Sequence, residues 1–175
     1  FCRNRQEADM TEDTNRIDDL PGVGEPTPLP AILEDTRKRA EAGDGAAARQ
    51  LGDCYREGDT LPYRPRRAFR WYVRGAFAGD LKSINNLGVC YHNGVGCPVN
   101  LKQAVHWYQR GANLGCQYAQ ENLGHCYLKG MGIAKNRELA IQWLQKAAAQ
   151  GLEKARERLK EMGAAAGTPA KEQSS

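Results

Sequence analysis

The strongest constraint on the fold is an internal repeat with a period of 36 residues. A leucine-glycine pair and a tryptophan recur at this spacing: Leu51-Gly52, Leu87-Gly88 and Leu123-Gly124, with Trp71, Trp107 and Trp143. No insertion breaks the register across three units, which are residues 43–78, 79–114 and 115–150. Self-similarity at a fixed period of this length is the signature of a stacked array, so the chain is predicted to be a repeat protein.

Each unit has the apolar pattern of two helices. In the first unit the small and apolar residues at helical spacing are Ala47, Ala48, Leu51, Gly52 and Tyr55, and they predict a helix A that ends near Gly58. In the second unit Ala104, Trp107, Tyr108 and Ala112 predict a helix B that Gly115 closes. A helix pair of this size buries both faces only by stacking on the next pair. We therefore expect an all-α, right-handed α-solenoid of stacked antiparallel helix pairs.

Glycine is unusually frequent, at 19 of 175 residues, and many of the glycines recur with the repeat. Glycine in the middle of a helix costs about 1 kcal/mol relative to alanine, so a recurrent one needs a reason. We expect Gly88 and its equivalents to lie where the backbones of adjacent helices approach closely.

The sequences that flank the repeats predict caps and unstructured ends. A lone helix B over 29–42, with Asp35 in the place of the tryptophan, and a helix over 152–163 with a polar outer face cap a solenoid that spans 29–164. Residues 1–28 carry clustered acids and then prolines, which indicates a flexible arm, and 165–175 resembles a disordered tail.

The repeated elements resemble Sel1-like repeats, which are relatives of the tetratricopeptide repeat. The resemblance rests on Leu-Gly-x-x-Tyr, a Gly-x-Gly connector, Ala-x-x-Trp and Ala-Ala-x-x-Gly, and the third unit is its clearest copy. The first unit departs from the pattern, because residues 59–63 replace the glycine-containing connector and Gly75 stands where alanine is favoured.

The resemblance implies a non-catalytic adaptor or scaffold that binds a partner protein or peptide through a concave face lined by helix A. The composition agrees, since only three histidines and three serines are available for acid–base or nucleophilic chemistry. The net charge of +4 is mild for a nucleic-acid binder. We expect no cofactor, no metal site, no membrane span and a mostly monomeric chain whose partner is a protein or peptide rather than nucleic acid. A nucleic-acid binder and an enzyme are the alternative classes.

The candidate contacts are the helix A positions that differ between units, because invariant positions report the scaffold. Three such positions define the predicted partner-binding face: Arg49, Asn85 and Glu121; Asp53, Val89 and His125; and Arg56, His92 and Leu128. Variation on a solvated face would look the same, so both interpretations stay open.

A cluster of arginines gives an alternative site. It consists of Arg64, Arg66, Arg67, Arg70 and Arg74, and it could bind an acidic protein surface or nucleic acid. The competing interpretation is that these residues form the solvated outer face of a helix B.

The cysteines are predicted to be small buried thiols. Cys54, Cys90 and Cys126 are equivalent positions, so their separation approximates the stacking distance, beyond the ~7 Å limit between Cα atoms for a disulfide. A Cys90–Cys97 bridge stays open, because a connector can approach its own helix A, and cysteine-rich relatives of the family staple the helix pairs of each repeat.

A zinc site built from residues of two units lacks any Cys-x-x-Cys pair; its candidate ligands are Cys90, His92, Cys97, His125 and Cys126. Unpaired cysteines favour the cytoplasm. Export remains open, because the sequence does not begin with Met.

Overall fold

The computed structural model describes residues 30–163, and this part of the chain contains eight helices and no strand. The helices are α1 (Ala31–Glu41), α2 (Gly45–Glu57), α3 (Pro65–Phe77), α4 (Leu81–Asn93), α5 (Leu101–Asn113), α6 (Gln117–Lys129), α7 (Arg137–Ala149) and α8 (Glu153–Glu161). The arm and the tail expected from the sequence lie outside the described residues. The prediction of an all-α solenoid is confirmed.

Three helix pairs, α2–α3, α4–α5 and α6–α7, form the body of the stack. Helix α1 packs against α2, and α8 packs against α7, so each end of the array is covered by a single helix. The A helices α2, α4 and α6 contact one another across repeats more extensively than the B helices do. The A layer is therefore the more closely spaced of the two layers.

Side-chain caps and left-handed glycines fix the ends of the helices. Four N-cap side chains each accept a hydrogen bond from the backbone N–H three residues later, at 2.7 to 3.1 Å: Asp44, Asp80, Asn100 and Asn136. Each helix A ends at a glycine with φ between +72° and +81°, a conformation that residues with a Cβ rarely adopt: Gly58, Gly94 and Gly130. The same local chemistry thus sets the length of the helix in every repeat.

The buried core follows the stripes predicted from the sequence. All five predicted helix A residues of the first unit are buried, and so are the four predicted helix B residues of the second. The tryptophans are less uniform, because Trp107 is 1% exposed while Trp71 and Trp143 are half-buried. A cation covers each of these two rings, with Arg74 5.3 Å and Lys146 4.1 Å from the ring centroids.

The expectation that Gly88 meets a neighbouring backbone is wrong, because it faces an aromatic ring of its own helix pair. A Cβ at Gly88 would lie 2.5 Å from Cε1 of Tyr108, and one at Gly52 would lie 2.6 Å from Cε1 of Tyr72. In the third unit Leu144 occupies the place of the tyrosine, 2.8 Å from a Cβ built on Gly124. Each of these glycines therefore leaves room for a large side chain of helix B.

The glycines between repeats have a different role. Gly79 and Gly115 both have φ of +87°, and a Cβ on either would meet nothing within 4 Å. They allow the chain to turn from one unit into the next.

Two departures of the first unit from the repeat pattern have local explanations. A Cβ on Gly75 would overlap the Oγ of Ser83, which is fully buried in the next helix A. The connector over 59–63 lacks glycine, yet the N–H of Arg64 still donates to the Tyr55 carbonyl at 2.8 Å. The later connectors close with the same bond, from Asn100 to Tyr91 and from Asn136 to Tyr127.

Candidate functional site

The first variable position of helix A does not face solvent in every repeat. Asn85 is 9% exposed and Glu121 is 3% exposed, so the expectation that both are accessible is wrong. The side-chain amide of Asn122 donates to Oδ1 of Asn85 at 2.9 Å, which joins α4 to α6. This position therefore contributes to an inter-repeat ladder, meaning the polar contacts between successive A-layer helices.

Glu121 extends the ladder to the last helix. Nε of Arg158 lies 2.6 Å from Oε1 of Glu121 and forms an ion pair with it, although the two groups are not aligned as in a hydrogen bond. Nζ of Lys154 donates a hydrogen bond to Oε2 of Glu121 at 3.2 Å. Because a buried carboxylate is costly without cationic partners, these contacts stabilise the docking of α8.

Asp53 is the centre of the ladder in the first repeat. Its Oδ1 accepts a 2.7 Å hydrogen bond from the hydroxyl of Tyr72, and Nη1 of Arg49 donates to Oδ2 at 2.8 Å. Nδ2 of Asn86, on the next helix A, donates to Oδ1 at 3.4 Å. Burial, and then the bond to Asp53, raise the pKa of Tyr72 far above the usual value for a tyrosine. Arg49 and Asp53 are thus engaged within the protein.

Four of the predicted contact residues remain half-exposed on the A layer, and we call them the inner-face patch: Val89, His92, His125 and Leu128. Val89 and His92 are three residues apart on α4, and His125 and Leu128 have the same spacing on α6, so each pair lies on one helix face. The 36-residue register places the two pairs side by side in adjacent repeats.

The electrostatics of the inner-face patch keep it near neutral. Burial first, and then the positive charge of Arg158, lower the pKa of His125, so its imidazole is uncharged at neutral pH. Nδ1 of His92 lies 2.8 Å from Oδ1 of Asn93, which fixes the orientation of that ring. Val89 also packs against the core formed by α5 and α6, so it is partly a scaffold residue.

Arg56, the remaining predicted contact, is exposed on the first repeat. Its Nη2 lies 2.8 Å from Oε1 of Glu57 and 3.7 Å from Oδ1 of Asp53. Charged residues that pair with one another thus border the inner-face patch on the α2 side.

The arginine cluster is divided between packing and exposure. Arg64, Arg66 and Arg74 are exposed, whereas Arg67 is half-buried with its guanidinium 5.6 Å from the Tyr55 ring centroid. Arg67 also donates to the Tyr55 hydroxyl at 3.4 Å. Arg70 is half-buried on the same helix.

The five cysteines between residues 30 and 163 are free thiols, and these include Cys90 and Cys97. Burial raises the pKa of Cys90 to about 12 and that of Cys97 to about 11, so both stay protonated at neutral pH. The residues considered as zinc ligands do not converge, because the described part of the chain holds no group of three His, Cys, Asp or Glu side chains arranged around a metal position.

Sequence reasoning missed most partners in the ladder. Two contacts of the ladder join residues 37 positions apart, Asn85–Asn122 and Glu121–Arg158. Two others join residues 33 positions apart, Asp53–Asn86 and Glu121–Lys154. Polar pairs offset by one or three residues from the 36-residue period are thus the trace of contacts between neighbouring A-layer helices. Tyr72 had no such signal, because its repeat pattern indicated only an apolar core position.

The structure consists of helix pairs stacked at a constant period, and its more closely spaced layer has an accessible face. These two features define the class of helical-repeat interaction proteins. The Sel1 repeat family matches three consecutive segments of the sequence, 45–80, 81–116 and 117–152. The chain belongs to the Sel1 repeat family. Proteins built from these repeats generally mediate protein–protein interactions and are generally non-catalytic scaffolds.

Solved structures extend this assignment. A Sel1 repeat protein from Oxalobacter formigenes is 39% identical, with a TM-score of 0.67 over 74% of this chain and 98% of its own. The protective antigen c5321 of uropathogenic Escherichia coli, which has an SLR fold, is 32% identical, with a TM-score of 0.70. That match covers 74% of this chain but only 28% of c5321.

The cysteine rich protein B (hcpB) of Helicobacter pylori shares the fold at 22% identity, with a TM-score of 0.58 over 74% of this chain and 98% of its own. A search of curated protein sequences gave no match. Among the helices between residues 30 and 163, none has the length and apolar character needed to cross a bilayer.

Proposed function

We propose that this protein is a non-catalytic adaptor that binds a partner protein or peptide through its A layer, with the inner-face patch at the centre of the contact. Val89, His92, His125 and Leu128 are the residues that would touch the partner. Arg56 lies at the edge of this surface.

The observation that carries the proposal is a contrast on the A layer: the packing residues repeat from unit to unit, whereas the exposed side chains differ. The core positions of the A helices repeat, while the four residues of the inner-face patch differ between units and remain accessible. Solenoids bind extended partners on concave surfaces, and the closer contacts between successive A helices are those expected of a concave side.

The chemistry of the inner-face patch favours a partner segment of low charge. Two aliphatic side chains offer apolar contact, and a neutral imidazole has one donor and one acceptor nitrogen. Nδ1 of His92 already contacts Oδ1 of Asn93, so His92 offers Nε2 to a partner. The lowered pKa of His125 keeps that ring neutral at physiological pH. An extended peptide with an apolar anchor next to backbone hydrogen-bonding groups meets these requirements.

Site-specific photo-cross-linking tests the proposed face. A benzophenone amino acid placed at His92 is expected to form a covalent adduct with the partner in a native lysate of the source organism. The same probe at His106, an exposed histidine on α5 in the B layer, is the matched control. Mass spectrometry of the adducts identifies the captured protein.

Adducts from position 92 that are absent from position 106 support the proposal. Capture of the same protein from position 106 but not from position 92 places the contact on the B layer and overturns it. Circular dichroism of both substituted proteins shows whether the helices are intact.

A further inference from the structure

Most of the net positive charge of the described region lies on two B helices, α3 and α5, which contain no Asp or Glu. Residues 30–163 contain 21 Lys and Arg against 13 Asp and Glu, a net charge of +8. Between residues 60 and 120 there are eight Lys and Arg and a single acid, Asp80. That carboxylate caps α4 and lies 3.6 Å from Nε of Arg49, so it belongs to the A layer.

The basic residues of α3 and α5 form two aligned rows. Each row has a spacing of four residues, so its members share one helix face, and the rows are 36 residues apart and therefore adjacent in the stack. We call this surface the basic grid: Arg66, Arg70 and Arg74 on α3, with Lys102, His106 and Arg110 on α5. The corresponding row of α1 contains Glu34, and that of α7 contains Glu138, so the grid is confined to the two central B helices.

Most of the grid is accessible to solvent. Arg66, Arg74, Lys102 and His106 are exposed. Within residues 30–163 no carboxylate forms an ion pair with Arg66, Arg74 or Lys102. Ring contacts orient the far end of each row, because Arg74 lies over Trp71 and Arg110 lies 5.2 Å from the Trp107 centroid.

The complementary charge is present in the same chain. Residues 7–19, which we call the acidic segment, contain six carboxylates and one arginine: Glu7, Asp9, Glu12, Asp13, Asp18 and Asp19 against Arg16. Its sequence has little apolar content, so electrostatic attraction to a basic surface is the main interaction open to it. We propose that the acidic segment docks on the basic grid of its own chain and restricts access of other acidic partners to that surface.

The point of attachment makes this contact easy to reach. Pro30 immediately precedes α1, which takes the helix B place ahead of the first repeat, and Pro30 is 36 residues before Arg66. The ten residues 20–29 span at most ~35 Å when extended, whereas the 13 residues of α3 extend over about 20 Å. A tether of this length allows the acidic segment to cover α3 and α5.

Tethering makes even weak docking effective. With an effective concentration of about 1 mM and a Kd of about 0.1 mM, the segment would occupy the grid in roughly ten of eleven molecules. An external acidic ligand would then bind about tenfold more weakly than to an uncovered grid.

The test measures binding of fluorescein-labelled polyglutamate to the full chain by anisotropy at about 50 mM salt, where screening is moderate. The arm variant neutralises five acids of the segment: Asp9→Asn, Glu12→Gln, Asp13→Asn, Asp18→Asn and Asp19→Asn. A charge-matched control neutralises five exposed acids elsewhere: Asp35→Asn, Asp59→Asn, Glu138→Gln, Glu157→Gln and Glu161→Gln.

The arm variant is expected to bind polyglutamate about tenfold more tightly than the parent, while the matched control changes by less than about threefold. Adding Arg66→Gln and Lys102→Gln to the arm variant should remove the gain. Equal binding by the arm variant and the matched control overturns the proposal. Binding of labelled oligo(dT) by the parent through the grid, with no effect of the arm on polyglutamate, would instead assign the surface to nucleic acid and also overturns it.

A direct measurement identifies the occupant. Carbodiimide joins a lysine to a carboxylate in contact with it, so Lys102 should cross-link to the acidic segment of the parent chain. In an equal mixture of ¹⁴N- and ¹⁵N-labelled protein the linked peptides should carry a single isotope. Mixed-isotope products would show that a second copy supplies the segment, and their predominance contradicts docking within one chain.

Discussion

At the residue scale, the repeat depends on matched pairs of a glycine in helix A and a large side chain in helix B. Gly52 and Gly88 each face a tyrosine ring, and Gly124 faces Leu144. The absence of a Cβ on helix A leaves space for the partner side chain, so the two helices approach while that side chain stays buried. These three glycines are thus required because a larger residue would collide with the side chain of helix B, and not because their backbone conformation demands glycine.

Gly88→Leu is expected to destabilise the protein by roughly 1–3 kcal/mol or more, because the added side chain enters the space of the Tyr108 ring. Gln142→Leu, at an exposed position in α7, is the matched control and should stay within about 0.5 kcal/mol of the parent. Urea unfolding midpoints measure both. A Gly88→Leu protein as stable as the parent would show that the helix pair can separate at no cost.

The two buried tyrosines predict different responses to loss of the hydroxyl. Tyr72 donates to the carboxylate of Asp53, but in the second repeat Val89 stands in place of that acid, opposite Tyr108. Tyr72→Phe should cost about 1.5–3 kcal/mol, the range for hydrogen bonds to charged groups. Tyr108→Phe should cost less than about 1 kcal/mol. Equal losses in thermal unfolding would contradict a specific Tyr72–Asp53 bond.

His125 predicts a pH dependence of stability. Its pKa is lowered in the fold from the ordinary 6.5, mainly by burial, so the unfolded chain binds the proton more readily. The stability contributed by the neutral ring is therefore present above pH 6.5 and is lost as the pH falls from 6.5 toward the lowered value. His125→Gln should flatten the decrease in unfolding free energy over this window, whereas His106→Gln should not. Parallel curves for parent and His125→Gln would rule out this contribution.

At the element scale, α8 closes the array by ion pairing as well as by apolar contact. Ala155 and Leu159 are buried, and Arg158 and Lys154 reach the buried carboxylate of Glu121. The cap thus completes the inter-repeat ladder at the place where a fourth helix A would continue it.

Arg158→Met should destabilise the protein by about 1–3 kcal/mol, because it leaves a buried charge with one exposed partner. Lys154→Met is the control, and its cost should stay below about 1 kcal/mol, since Lys154 has a side chain that is 59% exposed. Urea unfolding followed by circular dichroism measures both. A larger loss from Lys154→Met would reverse the assignment of the main partner.

Most helices were predictable from the sequence because their signals are local. Caps such as Asp80, terminal glycines such as Gly94, and the buried stripes define each helix within a few residues. The ladder was less accessible to prediction, because Asn85 and Glu121 are polar and vary between repeats, which is also how exposed contact residues look. Only the packing of one A helix against the next distinguishes the two cases.

At the scale of the whole molecule, the two layers of the solenoid present different chemistry. The A layer carries the nearly neutral inner-face patch between regions of paired charge, and the B layer carries the basic grid. A partner of low charge and an acidic segment can therefore occupy opposite layers at the same time. This division follows from the repeat itself, since the core positions are fixed and the remaining faces are free to diverge.

The most direct test of the adaptor proposal is the affinity of the cross-linked partner, measured by titration calorimetry. A triple variant of the inner-face patch, His92→Ala, His125→Ala and Leu128→Ala, is compared with a B-layer variant, Lys102→Ala, His106→Ala and Gln142→Ala. We predict at least about tenfold weaker binding for the first, which corresponds to about 1.4 kcal/mol, and an unchanged affinity for the second. Full affinity in the inner-face variant together with a loss in the B-layer variant would contradict the assignment of the binding surface to the A layer.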